Sequence, residues 1–322
     1  MVSFTSDLKQ EILTLNQKTC CDIAMLSALL AINGHLSLSH EGMGVVFQTT
    51  SLPLARKVIK LIKNLYKIEV SVGYKKQVKL NKKNQYHITI NQHVMPMMRE
   101  LGLMDENHGY AYRIDETIIQ KPCDLQAYLS GAFLASGSIN HPRSSSYHLE
   151  ISGLNEHYAN ELTELMNRYD LNAKPLNRKK HSIVYIKESE KISDFIRIVG
   201  ATNALFVFED ERIKRDFVNS ITRVMNMEIA NQHKTLEAAD KQLKNIAIIE
   251  NLLDETLLSK GVQQAIYLRK EYPDASLTEL SDLSRNHYNK AISKSALNHR
   301  YREIDQLASH ALEAFNERSN RD

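Results

Sequence analysis

The chain has 322 residues, of which 43% are hydrophobic and 25% charged, and 41 Lys and Arg against 38 Asp and Glu leave a net charge of only +3. That length predicts two or three domains, and the composition excludes a wholly disordered chain. No stretch approaches the 18 or more apolar residues of a bilayer span, and MVSFTSDLKQEI lacks the apolar centre of a secretory signal, so a cytoplasmic protein that meets charged partners through local patches is expected.

From residue 19 the chain reads as one unit made twice. Leu26-Ser27-Ala28-Leu29-Leu30-Ala31-Ile32-Asn33-Gly34 returns as Leu129-Ser130-Gly131-Ala132-Phe133-Leu134-Ala135-Ser136-Gly137, a step of 103 positions from Gly34 to Gly137. The same step relates Cys20 to Cys123, Ile62 to Leu165, Asn64 to Asn167 and Tyr66 to Tyr169. It shrinks to 98 between Gly102 and Gly200, which places a deletion in a loop of the second copy. A step held over so much chain argues for duplication.

Each copy (about 19–102 and 122–200) runs in the same order. A small-residue helix (19–33, then 122–136) stops at Gly34 or Gly137. A hairpin follows, with alternation at Val46 and Gln48 and again through Tyr147-His148-Leu149-Glu150-Ile151. Leu54, Val58, Leu61, Ile62 and Leu65 then mark an amphipathic helix, matched by Tyr158, Leu162, Leu165 and Met166. A second hairpin (about 68–90 and 172–187) and a third helix close the unit, giving αββαββα twice. Ser27, Ala28 and Ala31 against Ser130, Gly131 and Ala135 would let two helix backbones approach closely, which predicts a pseudo-twofold helix pair at the domain centre.

From Glu209 to about Leu258 there is no proline or glycine, and residues 206–258 read as a helical linker carrying Arg212, Lys214, Arg215 and Arg223. A smaller all-α unit of three short helices is expected over 259–315, with Ile266, Leu268, Leu277, Leu280, Leu283, Ile292, Leu297, Ile304 and Leu307 as its apolar positions.

The chemistry follows the same order. Three cysteines with no CxxC spacing make a disulfide framework or a zinc cage unexpected, and the reading assigns no metal and no cofactor. Cys20, Cys21 and Cys123 sit near the starts of the paired helices and read as buried reduced thiols. Lys75, Lys76, Lys79, Lys82 and Lys83 fall in an acid-free run, and Lys174, Arg178, Lys179 and Lys180 occupy the matching hairpin. The two runs read either as solvated hairpin tips or as a duplicated phosphate-binding surface.

In the tail, Ser276-Leu277-Thr278-Glu279 forms a capping box that opens one helix, and a second begins near Ile292-Ser293-Lys294-Ser295-Ala296-Leu297-Asn298-His299-Arg300. The pair (about 275–308) reads as a helix-turn-helix, with a plain three-helix bundle as the alternative. Arg285 to Arg302 holds five basic residues and no acid, with Arg285, Lys290, Lys294 and Arg302 suited to phosphate. Ser295, Asn298, His299 and Arg300 are chemically able to read base edges, Asn and Arg bidentately, and Ser276 and Ser293 complete the expected DNA-binding set.

The paired small-residue helices and the αββαββα order resemble the LAGLIDADG homing endonucleases over about residues 20–200. In that family the acid before the terminal glycine binds the catalytic metal. Here Asn33 and Ser136 stand there, and the earlier acid is replaced by Ala31 and Leu134. Neutral side chains hold Mg²⁺ poorly, so no nuclease activity is expected. Adding the linker and the terminal helix, the whole chain resembles the WhiA family of DNA-binding regulators. The resemblance implies an α+β domain over residues 1–205, a pseudo-twofold duplicated αββαββα LAGLIDADG-type fold, followed by the all-α helix-turn-helix domain. It also implies double-stranded DNA as partner, a nucleoid-associated location, roles in cell division and chromosome segregation, and transcription regulation in sporulating relatives. A protein partner from the division or transcription machinery, docked on the LAGLIDADG-like domain, is the rival reading, and a metal-dependent nuclease is the weaker one.

Overall fold

A computed structural model of the chain describes residues 3–15, 18–39, 42–75, 84–104, 109–111, 113–254, 257–288 and 290–319. Two units emerge, Met1–Asp216 and Phe217–Asp322. The first begins with α1 (Phe4–Thr14), capped by Ser3 and burying Phe4, Leu8 and Ile12 at helical spacing. Nothing in the local pattern marks where this helix docks. It crosses to the second repeat: Thr5 Oγ1 donates to the Ile139 carbonyl (2.8 Å) and Lys9 Nζ to that of Leu134 (3.2 Å).

The first repeat follows as α2 (Thr19–Asn33), β1 (Gly34–Ser39), β2 (Gly42–Thr49), α3 (Leu52–Tyr66), β3 (Ser71–Lys75), β4 (Gln85–Ile90) and α4 (Val94–Glu100). The second is α5 (Pro122–Ser136), β5 (Gly137–Ile139), β6 (Leu149–Leu154), α6 (Glu156–Asn167), β7 (Lys174–Asn177), β8 (Ser182–Ile186) and α7 (Ser189–Ile198). The αββαββα order is therefore present twice. Each repeat forms a four-stranded antiparallel sheet with the same strand order, β1-β2-β4-β3 and β5-β6-β8-β7.

Strand alternation explains which face is inside. Val45 and Phe47 pair with Ile90 and Ile88, and Leu149 and Ile151 pair with Ile186 and Val184; all eight are buried. The intervening Gln48, His87, Glu150 and Tyr185 are turned to the opposite faces. α3 is started by Ser51, whose Oγ accepts from the Leu54 N–H, and α6 by Asn155, whose Oδ1 accepts from the Tyr158 N–H. Gly102 and Gly200, matched in the sequence, close α4 and α7 in the left-handed region at φ +66° and +79°. In both, the next residue's N–H reaches back five residues, Leu103 to Met98 and Ala201 to Ile196. That is the Schellman stop, repeated.

α2 and α5 lie side by side at the centre, and Met25, Ala28, Leu29, Leu129, Ala132 and Phe133 are fully or almost fully buried. A Cβ on Gly131 would stand 2.6 Å from the Met25 carbonyl oxygen and 3.0 Å from the Ala28 Cβ. The small faces do meet. Ser27 is used differently: its hydroxyl donates to the Leu101 carbonyl (2.7 Å), which ties α2 to the end of its own repeat.

α8 (Thr202–Leu252) is one unbroken helix, and the boundary between the units falls inside it. Its start is capped from α1: the Glu11 carboxylate accepts from the Asn203 and Ala204 N–H groups at 2.8 and 2.9 Å. In the second unit, Ile246 and Ile249 from the last turns of α8 join a core with α9 (Lys260–Glu271), α10 (Leu277–His287) and α11 (Lys294–Ser319). Buried there are Ile266, Leu268, Leu280, Ile292, Leu297 and Ile304, with Leu277 and Leu307 partly covered. The terminal helix is longer than the short one expected. No proline or glycine interrupts it, and Leu297, Tyr301, Ile304 and Ala308 keep one face buried over three turns.

Candidate nucleic-acid interface

The capping box read from the sequence forms. Ser276 Oγ accepts from the Glu279 N–H (3.2 Å), and the Glu279 carboxylate accepts from the Ser276 N–H (2.7 Å). That backbone donor holds the Glu279 carboxyl below its ordinary range. Ser276 is half-buried and committed to this cap. The turn after α10 is fastened by Ser284, fully buried, whose Oγ donates to the Ser281 carbonyl (2.6 Å) and accepts from the Ile292 N–H (2.8 Å). Ser293 then starts α11, accepting from the Ala296 N–H at 3.2 Å.

From that start the helix divides by face. Leu297, Tyr301 and Ile304 point into the core, while Lys294, Ser295, Asn298, His299 and Arg302 are exposed. Steps of three and four residues put Ser295, Asn298, His299 and Arg302 on one outward stripe. Ser293 at the cap, Arg285 at the end of α10 and Lys290 in the turn are also exposed. A free helix face with cations beside it is what a recognition helix requires in the major groove.

Arg300 is placed otherwise than its exposed neighbours on α11. It is half-buried, with Nη1 donating to Gln264 Oε1 on α9 at 3.2 Å, and its guanidinium lies against Gly261. A Cβ at position 261 would come within 3.0 Å of Arg300 Nε. Its place beside Tyr301, on the flank of the buried stripe, turns it toward α9, away from Asn298.

In the first unit the motif ends are neutral. Asn33 Nδ2 donates to the Ala135 carbonyl at 3.0 Å, bridging the ends of α2 and α5, and the Ser136 hydroxyl is buried with no hydrogen-bond partner among the described residues. The cleft beside Asn33 is lined by His35, Gln48, Thr49 and Gln85, and among the described residues its lining contains no carboxylate. Gln85 Nε2 donates to Gln48 Oε1 (3.0 Å), and Gln48 Nε2 lies 3.2 Å from His35 Nε2. Uncharged amides and an imidazole occupy each other here.

The basic hairpins are only partly comparable. Lys75 is exposed at the end of β3, paired with Gln85, while Lys76, Lys79, Lys82 and Lys83 lie outside the described residues. Lys174 is exposed on β7 opposite Tyr185, and Arg178, Lys179 and Lys180 are exposed in the turn after it. Arg178 Nη2 stands 3.8 Å from Glu150 Oε2, so an acid of the same sheet offsets part of that charge.

Three family models match in chain order: the WhiA N-terminal LAGLIDADG-like domain at residues 19–104, the WhiA LAGLIDADG-like domain at 125–218, and the WhiA C-terminal HTH domain at 221–308. The probable cell division protein WhiA of Bacillus thuringiensis (strain Al Hakam) is 41% identical, over 96% of this chain and 96% of its own. The protein of the same name from Oceanobacillus iheyensis is 42% identical, over 95% of this chain and 97% of its own. The chain belongs to the WhiA family. Full-length DUF199/WhiA from Thermatoga maritima superposes with a TM-score of 0.55 at 20% identity, covering 96% of this chain and 99% of that one, so the WhiA fold extends along the whole length.

The WhiA helix-turn-helix contains one residue that sequence reasoning missed altogether. Arg269 is 2% exposed, and its Nη1 donates to the carbonyls of Pro273 (3.2 Å) and Ala275 (2.6 Å) in the α9–α10 turn. Its Nε donates to Gln242 Oε1 on α8 (3.0 Å), and the guanidinium sits 5.5 Å from the Tyr301 ring centroid on α11. One cation thus ties α9 to α8, to the α9–α10 turn and to α11. In sequence it is one of many surface-type basic residues, and Ser284 likewise has no local mark of its buried role.

Proposed function

We propose that this WhiA-type chain is a non-enzymatic protein of cell division and chromosome segregation that binds double-stranded DNA at the nucleoid and regulates transcription there. The observation that carries the reading is the outward stripe of α11, capped by Ser293 and exposed among the described residues of its unit. Asn298 is the bidentate base reader, assisted by Ser295 and His299. Lys294, Arg302, Arg285 and Lys290 supply phosphate attraction. Arg300 acts by setting the angle between α9 and α11. Lys75, Lys174, Lys179 and Lys180 give a second, sequence-independent surface. The names of the relatives support the division role.

Losing one bidentate base contact costs ~1–3 kcal/mol of discrimination. Asn298→Ala should therefore weaken the preferred site far more than random DNA. Lys290→Ala should weaken both alike and flatten the salt dependence by about one counterion. Arg300→Ala should lower the melting temperature first, and affect both DNAs together. Binding is measured by titration against a site selected from genomic fragments and against a scrambled duplex. If Lys174→Ala with Lys179→Ala abolishes site preference while Asn298→Ala leaves it intact, the reading head belongs to the first unit.

No nuclease step is assigned. Asn33 is held by Ala135, and among the described residues the cleft lining beside it offers no carboxylate for a hard cation. Supercoiled plasmid with Mg²⁺ or Mn²⁺ should show no nicking above a control without protein. Cleavage that disappears in Asn33→Ala would overturn this assignment.

A second reading is favoured by the outer strands of the two sheets, where Val72, Tyr74 and Leu176 are 56%, 55% and 45% exposed. Apolar side chains on unpaired edges suit a protein partner from the division or transcription machinery better than phosphate.

A further inference from the structure

The repeat step that pairs Cys20 with Cys123 also pairs Cys21 with Asp124. All four residues fall in the first turns of α2 and α5, the two helices packed along the pseudo-twofold axis. Because these helices run side by side, their amino-terminal ends meet. The thiol sulfurs of Cys20, Cys21 and Cys123 and a carboxylate oxygen of Asp124 all lie within 4.8 Å of one another.

We propose that Cys20, Cys21, Cys123 and Asp124 are the four ligands of a structural zinc ion that clamps the two repeats together. The donor set suits zinc, which takes thiolate and carboxylate ligands in tetrahedral sites. At a Zn–S distance of ~2.3 Å, sulfurs in such a site stand roughly 3.8 Å apart, so side-chain rotation of about 1 Å closes the cluster. Both helix amino termini favour the negative charge that four such ligands bring. Three sulfurs also discriminate against Mg²⁺ and Ca²⁺, which require oxygen.

A second observation points the same way. Asp124 is 5% exposed, yet no Lys or Arg forms a salt bridge with it among the described residues. Its neighbours are thiols, with Cys123 Sγ donating to Oδ1 at 3.4 Å. A carboxylate buried without a cation is costly, and a bound dication removes that cost. Cys20 and Cys123 remain half-exposed, which leaves a path for the ion. The rule of CxxC spacing misses such a site. Its ligands come as adjacent pairs from two helices about a hundred residues apart.

The test uses the full, untagged chain purified under a phosphine reductant. Zinc content should be about one per chain, and replacement by Co²⁺ should produce sulfur-to-cobalt charge-transfer absorption. Zinc should shield the thiols from a disulfide reagent until a chelator is added, and chelation should lower the melting temperature of the first unit. Cys20→Ser with Cys123→Ser should lose the cobalt bands, while Asp124→Asn should weaken binding and keep the thiolate bands. The proposal is overturned if the wild-type chain holds no zinc and gives no cobalt–sulfur absorption, or if the bands persist in the double serine variant. Both the metal content and the cobalt titration are read on the wild-type chain, so they decide the matter even where a variant fails to fold.

Discussion

Gly131→Leu is expected to lower the stability of the first unit by ~3 kcal/mol, a fall of roughly 6–12 °C in its melting temperature. The first added carbon already meets the Met25 carbonyl oxygen at 2.6 Å, and the rest of the side chain has nowhere to go between two buried helices. Ala28→Gly should not rescue it, because the tighter contact is with the backbone of α2. Differential scanning calorimetry resolves the effect from unfolding of the second unit. A Gly131→Leu chain that melts with the parent would mean that α2 and α5 are not in contact, and would remove the basis for the pseudo-twofold core.

Arg269→Ala should be as severe in the second unit, about 3–5 kcal/mol, because it strips the donor from the Pro273 and Ala275 carbonyls and from Gln242 in a closed space. Burial already lowers the pKa of this guanidinium, yet a guanidinium keeps its charge in a folded protein. Arg269→Lys should recover little, since a single ammonium cannot span the same acceptors as a planar fork. Affinity should fall for the preferred duplex and the scrambled one alike, which separates loss of scaffold from loss of readout. A variant that melts with the parent would show that water replaces the guanidinium.

The features legible in the sequence are those enforced locally or twice. A close helix pair demands small residues on both partners, so Ala28 and Gly131 left a trace that the constant step made visible. The capping box at Ser276 and Glu279 is four consecutive residues. By contrast, α1 docks on Ile139, Leu134 and the start of α8, all more than a hundred residues away, and no pattern in residues 4–14 encodes that. The same holds for the arginines of the tail. Arg269, Arg300 and Arg302 are alike on paper, and only the packing of α9 against α11 buries the first, half-covers the second and leaves the third free.

The crossing of α1 and α2 onto the second repeat also sets an order of events during synthesis. Both helices leave the ribosome about a hundred residues before α5, and at ~5–20 residues per second that is a delay of roughly 5–20 s. Throughout it, the face of α2 around Met25 and Ala28 waits for α5, and α1 has only α3 of its own repeat to pack against. The first repeat can assemble its sheet alone, but not its central seam. Slower translation through the second copy therefore lengthens the time for which that seam stays open.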